Sequence, residues 1–149
     1  VILEVLQEYK KLGKEFEYVC CLYATAPFVT VEKLQLALKT LKDSNADTVF
    51  PVVKFSSAIQ RALKVEDNLV KMIWPENISK RSQDLEPTYH DCGQFYFLKT
   101  DKFLKNKKLF STKSIPLITA EMEVQDIDNE ADWKIAELKY KILNEKLAV

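Results

Sequence analysis

Hydrophobic and polar positions follow two different periods along this chain. Apolar residues three and four positions apart predict helices at 1–12, at 30–43 and after residue 129. Nearly continuous or alternating apolar runs predict strands at 17–23, 47–53 and 94–98. The first of these runs is apolar at almost every position, as in a strand covered on both faces, and a helix separates it from the second. The pattern therefore predicts an α/β fold with a mostly parallel, Rossmann-like sheet.

Single residues refine the ends and faces of these elements. Thr30 is suited to cap the second helix, and Gly13 is suited to end the first. Pro51 has no N–H for a sheet ladder, so it predicts a bulge, a strand end or an edge. The helical spacing predicts buried faces formed by Ile2, Val5, Leu6, Tyr9 and Leu12 in the first helix, Leu34, Ala37, Leu38 and Leu41 in the second, and Ile135, Leu138, Ile142 and Leu143 in the last.

An insertion interrupts the order of helices and strands. Two short apolar runs between residues 62 and 74 flank the polar turn Glu66, Asp67 and Asn68, which predicts a β-hairpin. The next segment, 75–91, is polar and irregular before the aromatic strand begins. We interpret residues 1–149 as one domain, with 62–100 as an inserted hairpin and substrate-binding or dimerisation segment.

Two further elements are predicted near the C-terminal end. The basic segment 102–108 is a short helix or a solvated loop. Residues 122–128 predict a final strand, which leads into a helix that Asn129 is suited to cap.

Charge and cysteine content exclude several classes of protein. The 22 basic and 22 acidic residues cancel, so the overall charge favours neither nucleic acid nor an anionic membrane as a partner. No apolar run approaches the roughly 18 residues that cross a bilayer. Cys20, Cys21 and Cys92 form an odd set without repeated spacing, which predicts free thiols and a cytoplasmic location.

The beginning of the chain carries a further expectation. Val1 already lies inside a helical pattern, with no capping residue and no Met before it. Gly13 and Gly93 are the only two glycines, so the chain contains no glycine-rich phosphate loop. We expect any nucleotide-binding loop to lie upstream.

Asp126 and Asp128 are the first candidate for chemistry. Alternate side chains of a strand share a face, so a strand here would direct both carboxylates to one side and Ile127 to the core. Mg²⁺ takes one or two carboxylates and completes its shell with water and phosphate oxygens. The pattern indicates either a Mg²⁺ site or a solvated strand end with a helix cap.

The polar segment 80–94 is the second candidate. Arg81 carries a planar fork that binds a carboxylate through two hydrogen bonds. Hydroxyl and amide groups of a sugar would suit Gln83, Tyr89, Asp91 and Gln94, although an ordinary surface loop has the same composition. His90 and Cys92 form neither a recognisable nucleophile pair nor, with Cys20 and Cys21, a zinc spacing.

Four motifs together resemble those of the cytidylyltransferases that make CMP-activated nonulosonic acids. They are YATAPF at 23–28, WPEN at 74–77, RSQDLEPTYHDCGQFYF at 81–97 and DIDNEADW at 126–133. The combination is more similar to the pseudaminic acid branch than to the acylneuraminate branch, which usually has Gln-Pro-Thr-Ser-Pro at the first motif and Asn-Gly before the aromatic strand. The resemblance implies a nucleotidyltransferase of surface glycan biosynthesis.

The resemblance also implies roles for individual residues. Asp126 and Asp128 would hold the catalytic Mg²⁺, and Arg81 would bind the carboxylate of the sugar acid. The substrate pocket would further contain Thr25, Pro27, Gln83, Tyr89, Asp91, Gln94, Lys54 and Arg61. The substrates would be CTP and a nonulosonic acid, and the protein would pair as a homodimer. Because the family's nucleotide-binding loop has no counterpart in this sequence, we expect the chain alone to be inactive.

Two other functions remain open at this point. Sugar-nucleotide glycosyltransferases also use an Asp-x-Asp metal pair in an α/β sheet, but usually carry it in mid-domain, whereas Asp126 precedes the last helix. A non-catalytic dimerisation module would account for the hairpin and the aromatic strand. The released product, pyrophosphate or a nucleoside diphosphate, separates the two enzyme classes.

Overall fold

The structure is a computed structural model, and it describes residues 1–145. The helices are α1 (Ile2–Lys11), α2 (Val31–Asp43), α3 (Thr100–Asn106) and α4 (Glu130–Glu145). The strands are β1 (Tyr18–Leu22), β2 (Thr48–Lys54), β3 (Leu63–Glu66), β4 (Leu69–Met72), β5 (Tyr89–Asp91), β6 (Phe95–Lys99) and β7 (Ser114–Ile118). No described helix combines the length and the hydropathy that crossing a bilayer requires.

The five-stranded sheet is centred on β2. On one side of β2, its start pairs with β6 and its end pairs with β5, and β1 lies beyond β6. On the other side, β2 pairs with β7. The β2–β7 ladder is parallel, and the other three ladders are antiparallel. The mixed α/β fold is therefore confirmed, but parallel pairing occurs in one ladder only, because β6 runs between β1 and β2 in the opposite direction. The Rossmann-like topology stays a prediction.

Helices cover both faces of this sheet. Ala37 and Leu41 of α2 pack against Val49, Phe95 and Phe97 on one face. Leu98 points to the opposite face, because side chains alternate along β6, and packs against Leu6 of α1 and Phe103 of α3. Thr30 accepts a hydrogen bond from the N–H of Lys33 at 3.3 Å, so the predicted cap of α2 is confirmed.

Pro51 lies in the central strand of the sheet, not at an edge. It sits where the partner of β2 changes from β6 to β5, since Val49 pairs with Phe97 and Val52 pairs with Asp91. Its missing N–H therefore falls at an interruption of the ladder, while its carbonyl accepts the N–H of Cys92 at 3.3 Å.

The predicted burial of β1 and α1 is wrong in part. β1 pairs with β6 alone among the described strands, and Leu22 is 54% exposed. In α1, Leu6 is buried, whereas Val5 and Leu12 lie open to solvent. Gly13 ends this helix in the left-handed conformation, with φ +71°, as predicted.

The strand predicted at 122–128 is wrong. A 3₁₀ turn occupies Glu121–Glu123, and an extended unpaired segment continues to α4. The last strand is instead β7, which the sequence analysis missed, although Ile115, Leu117 and Ile118 around Pro116 carry a β signal. β7 pairs with β2 alone, and an edge strand accommodates a proline.

The buried face of α4 is also different from the prediction. Ala136 is buried, and Asp132, Lys139 and Leu143 are half-buried at helical spacing from it. Ile135, Leu138 and Ile142 are exposed. This face contacts the segment after β7, where Lys139 donates hydrogen bonds to the carbonyl oxygens of Val124 and Glu121, at 2.6 and 3.3 Å.

The predicted hairpin is confirmed as β3 and β4. Asp67 and Asn68 form a two-residue turn with φ values of +53° and +60°, which suits the type I′ turn of tight hairpins. Val65 pairs with Val70 and Leu63 with Met72, so these four side chains share one face. The residues on the other face include Lys64, Glu66 and Lys71.

Candidate functional site

Three loops meet at one edge of the sheet. β1, β2 and β7 run in the same direction, so the segments that follow them, 23–27, 55–58 and 119–128, all start at this edge. The N–H of Tyr23 donates to the carbonyl of Gln94 at 2.9 Å, which places the start of β6 beside the first loop. Ligands of open α/β sheets bind beyond such carboxyl ends, so this edge is the candidate site.

A groove runs along the loop after β2 at this edge. It consists of three recesses of about 310, 540 and 560 Å³, each lined by Phe55 and Ser56, and we call it the 55–56 groove. The first recess is lined by Asp126, Asp91 and Lys54, together with His90 and Lys139. Gln83 and Lys54 line the second, and Arg61 lines the third. The groove therefore brings together five of the predicted site residues.

Asp126 and Asp128 are both exposed at the end of this segment. Among residues 1–145, neither carboxylate has a hydrogen bond or an ion pair to another side chain. The backbone here is fixed by α4, since Asn129 caps the helix and Asp132 accepts the N–H groups of Asp128 and Asn129, at 3.1 and 3.2 Å. Carboxylate oxygens are donors that Mg²⁺ takes, but the predicted common face of the two side chains loses its basis, because residues 122–128 form no strand.

Asp91 and Gln94 are engaged within the protein. Oδ1 of Asp91 accepts the N–H of Gly93 at 2.7 Å and the hydroxyl of the buried Tyr96. Gln94 is 2% exposed, and its amide nitrogen donates to the carbonyl of Glu123 at 2.7 Å. Asp91 lines the 55–56 groove, whereas Gln94 is buried and does not line it.

Arg81 and Gln83 lie on either side of Ser82. Arg81 is well exposed, and its Nε and Nη2 donate to the two carboxylate oxygens of Asp84 at 2.8 and 3.2 Å. This pair occupies the guanidinium, and it shows the geometry of two hydrogen bonds in which Arg81 would bind another carboxylate. Gln83 is exposed and lines the second recess.

The remaining predicted residues, Thr25, Pro27 and Tyr89, do not line the groove. Thr25 is exposed in the loop after β1, and Pro27 lines a separate apolar recess with Ile127 and Trp133. Tyr89 is 42% exposed on β5 and pairs with Lys54 across the ladder.

The thiol and zinc interpretations gain no support from the structure. His90 makes its hydrogen bond to the carbonyl of Asp91, not to Cys92. Burial, followed by the charge of Asp91, raises the pKa of Cys92 to about 12, so it stays a protonated thiol at neutral pH. The three cysteines are free, and within the described residues no three His, Cys, Asp or Glu side chains cluster as metal ligands.

Sequence reasoning missed several residues of the site. Phe55 and Ser56 line every recess of the groove, and Lys139 of α4 reaches the recess that contains Asp126. In the sequence analysis, Gly93 serves only to exclude a glycine-rich phosphate loop. One signal was available for it, because an isolated glycine at a strand end marks a close approach or a positive φ, here +59°.

Comparison with known proteins identifies relatives that are similar to most of this chain. None of the protein-family models matches the chain. A protein of Campylobacter jejuni subsp. jejuni serotype O:2, named pseudaminic acid cytidylyltransferase, is 33% identical over 144 residues, which are 96% of this chain and 61% of that protein. The chain is a homologue of the pseudaminic acid cytidylyltransferases. The resemblance inferred from the motifs is thereby confirmed.

Two further relatives are similar to the chain. A Helicobacter pylori protein, named pseudaminic acid cytidylyltransferase and UDP-2,4-diacetamido-2,4,6-trideoxy-beta-L-altropyranose hydrolase, is 33% identical over 91% of the chain and 26% of its own length. The N-acylneuraminate cytidylyltransferase A of Danio rerio is 27% identical over 91% of the chain and 32% of its own length. The chain spans about three fifths of the Campylobacter relative.

Proposed function

We propose that the protein transfers CMP from CTP to an acidic nine-carbon 2-keto sugar, with release of pyrophosphate. The observation that carries this proposal is the 33% identity to a pseudaminic acid cytidylyltransferase over 96% of the chain. The greater similarity to this relative than to the N-acylneuraminate enzyme, which is 27% identical, favours pseudaminic acid as the sugar. A role in surface glycan biosynthesis would follow from such a product.

In the proposed reaction, the anomeric hydroxyl oxygen attacks the α-phosphorus of CTP. A phosphorus–oxygen bond forms to the sugar, the bond to pyrophosphate breaks, and the hydroxyl proton passes to solvent. The work of the protein is to position the two anionic reactants and to neutralise their charge. Lys54 and Arg61, which line the 55–56 groove, supply cationic contacts along it.

The metal and the sugar acid have separate binding groups in this proposal. Asp126 and Asp128 would hold Mg²⁺, which neutralises phosphate charge when bound. Arg81 would bind the sugar carboxylate, with Gln83 and Tyr89 as contacts for hydroxyl and amide groups. Thr25 and Pro27 would form the pocket wall beyond β1.

A product assay tests the proposed function. The full-length protein is expected to release pyrophosphate from CTP in the presence of Mg²⁺ and pseudaminic acid, and to do so more slowly with N-acetylneuraminic acid. Release of a nucleoside diphosphate from a sugar nucleotide, with no pyrophosphate from CTP, would instead identify a glycosyltransferase. The chain alone is the matched control and is expected to be inactive.

We also propose that the protein is a homodimer that pairs through the hairpin. One face of β3 and β4 is apolar, and its residues are largely exposed, with Leu63 at 58%, Val65 at 71% and Val70 at 63%. The other face carries Glu66 bonded to Lys64 and Lys71, at 2.8 and 3.3 Å. An isolated two-stranded hairpin is marginal in water, so a second copy that covers the apolar face would stabilise it.

Charged substitutions on the apolar face of the hairpin test whether two copies of the protein pair through it. The double variant Val65→Lys and Val70→Lys is expected to convert the dimer to a monomer, because two opposed cations would be buried at the interface. Light scattering with size-exclusion chromatography measures the mass. The matched control, Lys64→Ala with Lys71→Ala on the charged face, should remain a dimer. A dimer of unchanged affinity in the valine variant would exclude this surface as the interface.

A further inference from the structure

The turn at residues 91–94 and the segment that carries Asp126 contact each other at three consecutive positions. Cys92 packs against Val124. Gly93 lies against the carboxylate of Asp126, and Gln94 donates its amide hydrogen bond to the carbonyl of Glu123. The segment 123–126 belongs to no helix or strand, so these contacts and those of α4 determine its position.

Gly93 faces the carboxylate of Asp126 across a small gap. A Cβ at this glycine would lie 3.5, 3.7 and 3.9 Å from Oδ1, Cγ and Oδ2 of Asp126, which is ordinary van der Waals contact, so the space between them would hold a methyl group. Gly93 also has φ +59°, a conformation that L side chains rarely adopt. The position of the turn relative to the Asp126 carboxylate therefore depends on the conformation of this glycine.

Asp91 maintains that conformation. Its Oδ1 accepts the N–H of Gly93 at 2.7 Å, two residues ahead, as in turns closed by an aspartate side chain. The same oxygen accepts the hydroxyl of Tyr96, which is 2% exposed and anchored in β6. Asp91 thus ties the turn to the sheet, while Gln94 ties it to the segment that carries Asp126.

We propose that Asp91 and Gln94 are positioning residues, which hold the 91–94 turn as a seat for the Asp126 carboxylate and so set the affinity of the metal site. This inference rests on the proposed role of Asp126 in binding a divalent cation. It replaces direct substrate contact as the role of these two residues. Oδ1 of Asp91 and Nε2 of Gln94 are engaged inside the protein, and Gln94 is buried.

Mn²⁺ binding to the full-length protein, measured by electron paramagnetic resonance without substrates, tests whether Asp91 and Gln94 position Asp126. Asp126→Ala should abolish binding at this site. Asp91→Ala and Gln94→Met should weaken it by about 10- to 100-fold, the range seen when groups that orient metal ligands are removed. Asp91→Asn should bind as wild type does, because its amide oxygen still accepts both hydrogen bonds. Asp43→Ala, on the exposed end of α2, is the control and should have no effect.

Several outcomes would overturn the proposal. If Asp91→Asn weakens Mn²⁺ binding as much as Asp91→Ala, the Mn²⁺ affinity depends on the charge of Asp91 and not on the hydrogen bonds that it accepts in the turn. If Gln94→Met leaves binding unchanged, the tie to Glu123 does not position the site, and this variant decides the question even if Asp91→Ala fails to fold. A rise in the sugar KM with unchanged Mn²⁺ binding would make Asp91 a substrate contact.

The same experiment separates this inference from the proposed function. Wild-type protein that binds Mn²⁺ through Asp126 but releases no pyrophosphate from CTP would refute the cytidylyltransferase proposal and leave the seat intact. Pyrophosphate release with Mn²⁺ binding that Asp126→Ala does not change would refute the seat and leave the reaction.

Discussion

Asp128→Ala in the full-length protein is expected to abolish Mg²⁺-dependent pyrophosphate release while leaving the fold intact. The variant loses one of two carboxylates proposed to hold the metal, and we expect the rate to fall by about 10³-fold, which corresponds to about 4 kcal/mol. The fold should survive because the backbone of Asp128 is held by its N–H bond to Asp132, which the substitution leaves in place. Initial rates at saturating CTP, measured against Mg²⁺ concentration, give the result.

The control for this variant is Asp43→Ala. Asp43 is an exposed carboxylate that pairs with Lys39 one helical turn away, so its loss removes a charge without touching the candidate site. Thermal unfolding of both variants monitors the fold. Near-normal turnover of Asp128→Ala, together with an unchanged dependence on Mg²⁺, would remove Asp128 from the metal site.

Arg81→Lys is expected to raise the KM for the sugar acid by about 10- to 100-fold, the value of a lost hydrogen bond to a charged group. Lysine retains the charge but not the planar fork, and the pair with Asp84 shows that the fork of Arg81 grips a carboxylate through Nε and Nη2. The KM for CTP should change little, because the proposed partner of Arg81 is the sugar carboxylate. Steady-state kinetics with each substrate varied in turn separates the two constants.

Lys80→Ala is the matched control for Arg81. It removes a neighbouring positive charge that has no fork, so the sugar KM should stay within about fivefold of the wild-type value. Equal increases of both KM values in Arg81→Lys would place this guanidinium near the phosphates of CTP. An unchanged sugar KM would mean that Arg81 does not bind the sugar carboxylate and pairs with Asp84 alone.

Local signals predicted most of the secondary structure because they act within a few residues. The cap at Thr30, the left-handed Gly13 and the hairpin turn at Asp67 and Asn68 all depend on neighbours in sequence, and each is present in the structure. The errors concern longer distances. α4 buries Ala136 and not Leu138, because that face contacts the segment after β7, and periodicity alone does not identify the neighbour.

The candidate site shows the same division. Motif similarity indicated the resemblance to the cytidylyltransferases and named Asp126, Asp128 and Arg81 as candidates, since a motif preserves chemistry at fixed spacing. It did not indicate that the 55–56 groove would run along a loop, nor that Asp91 and Gln94 would be engaged inside the protein. Those facts depend on which segments the sheet brings to one edge.

The sequence by itself determined the resemblance to the pseudaminic acid cytidylyltransferases, the chemistry of the side chains and the local turns and caps, because each depends on residues close together along the chain. Only the tertiary structure decided that β6 separates β1 from β2, that β7 is the last strand, and that Gly93 lies against Asp126 although 33 positions separate them along the chain. The physical reason is that strand order and contacts between distant segments minimise the free energy of the whole fold, and no short stretch of sequence specifies them.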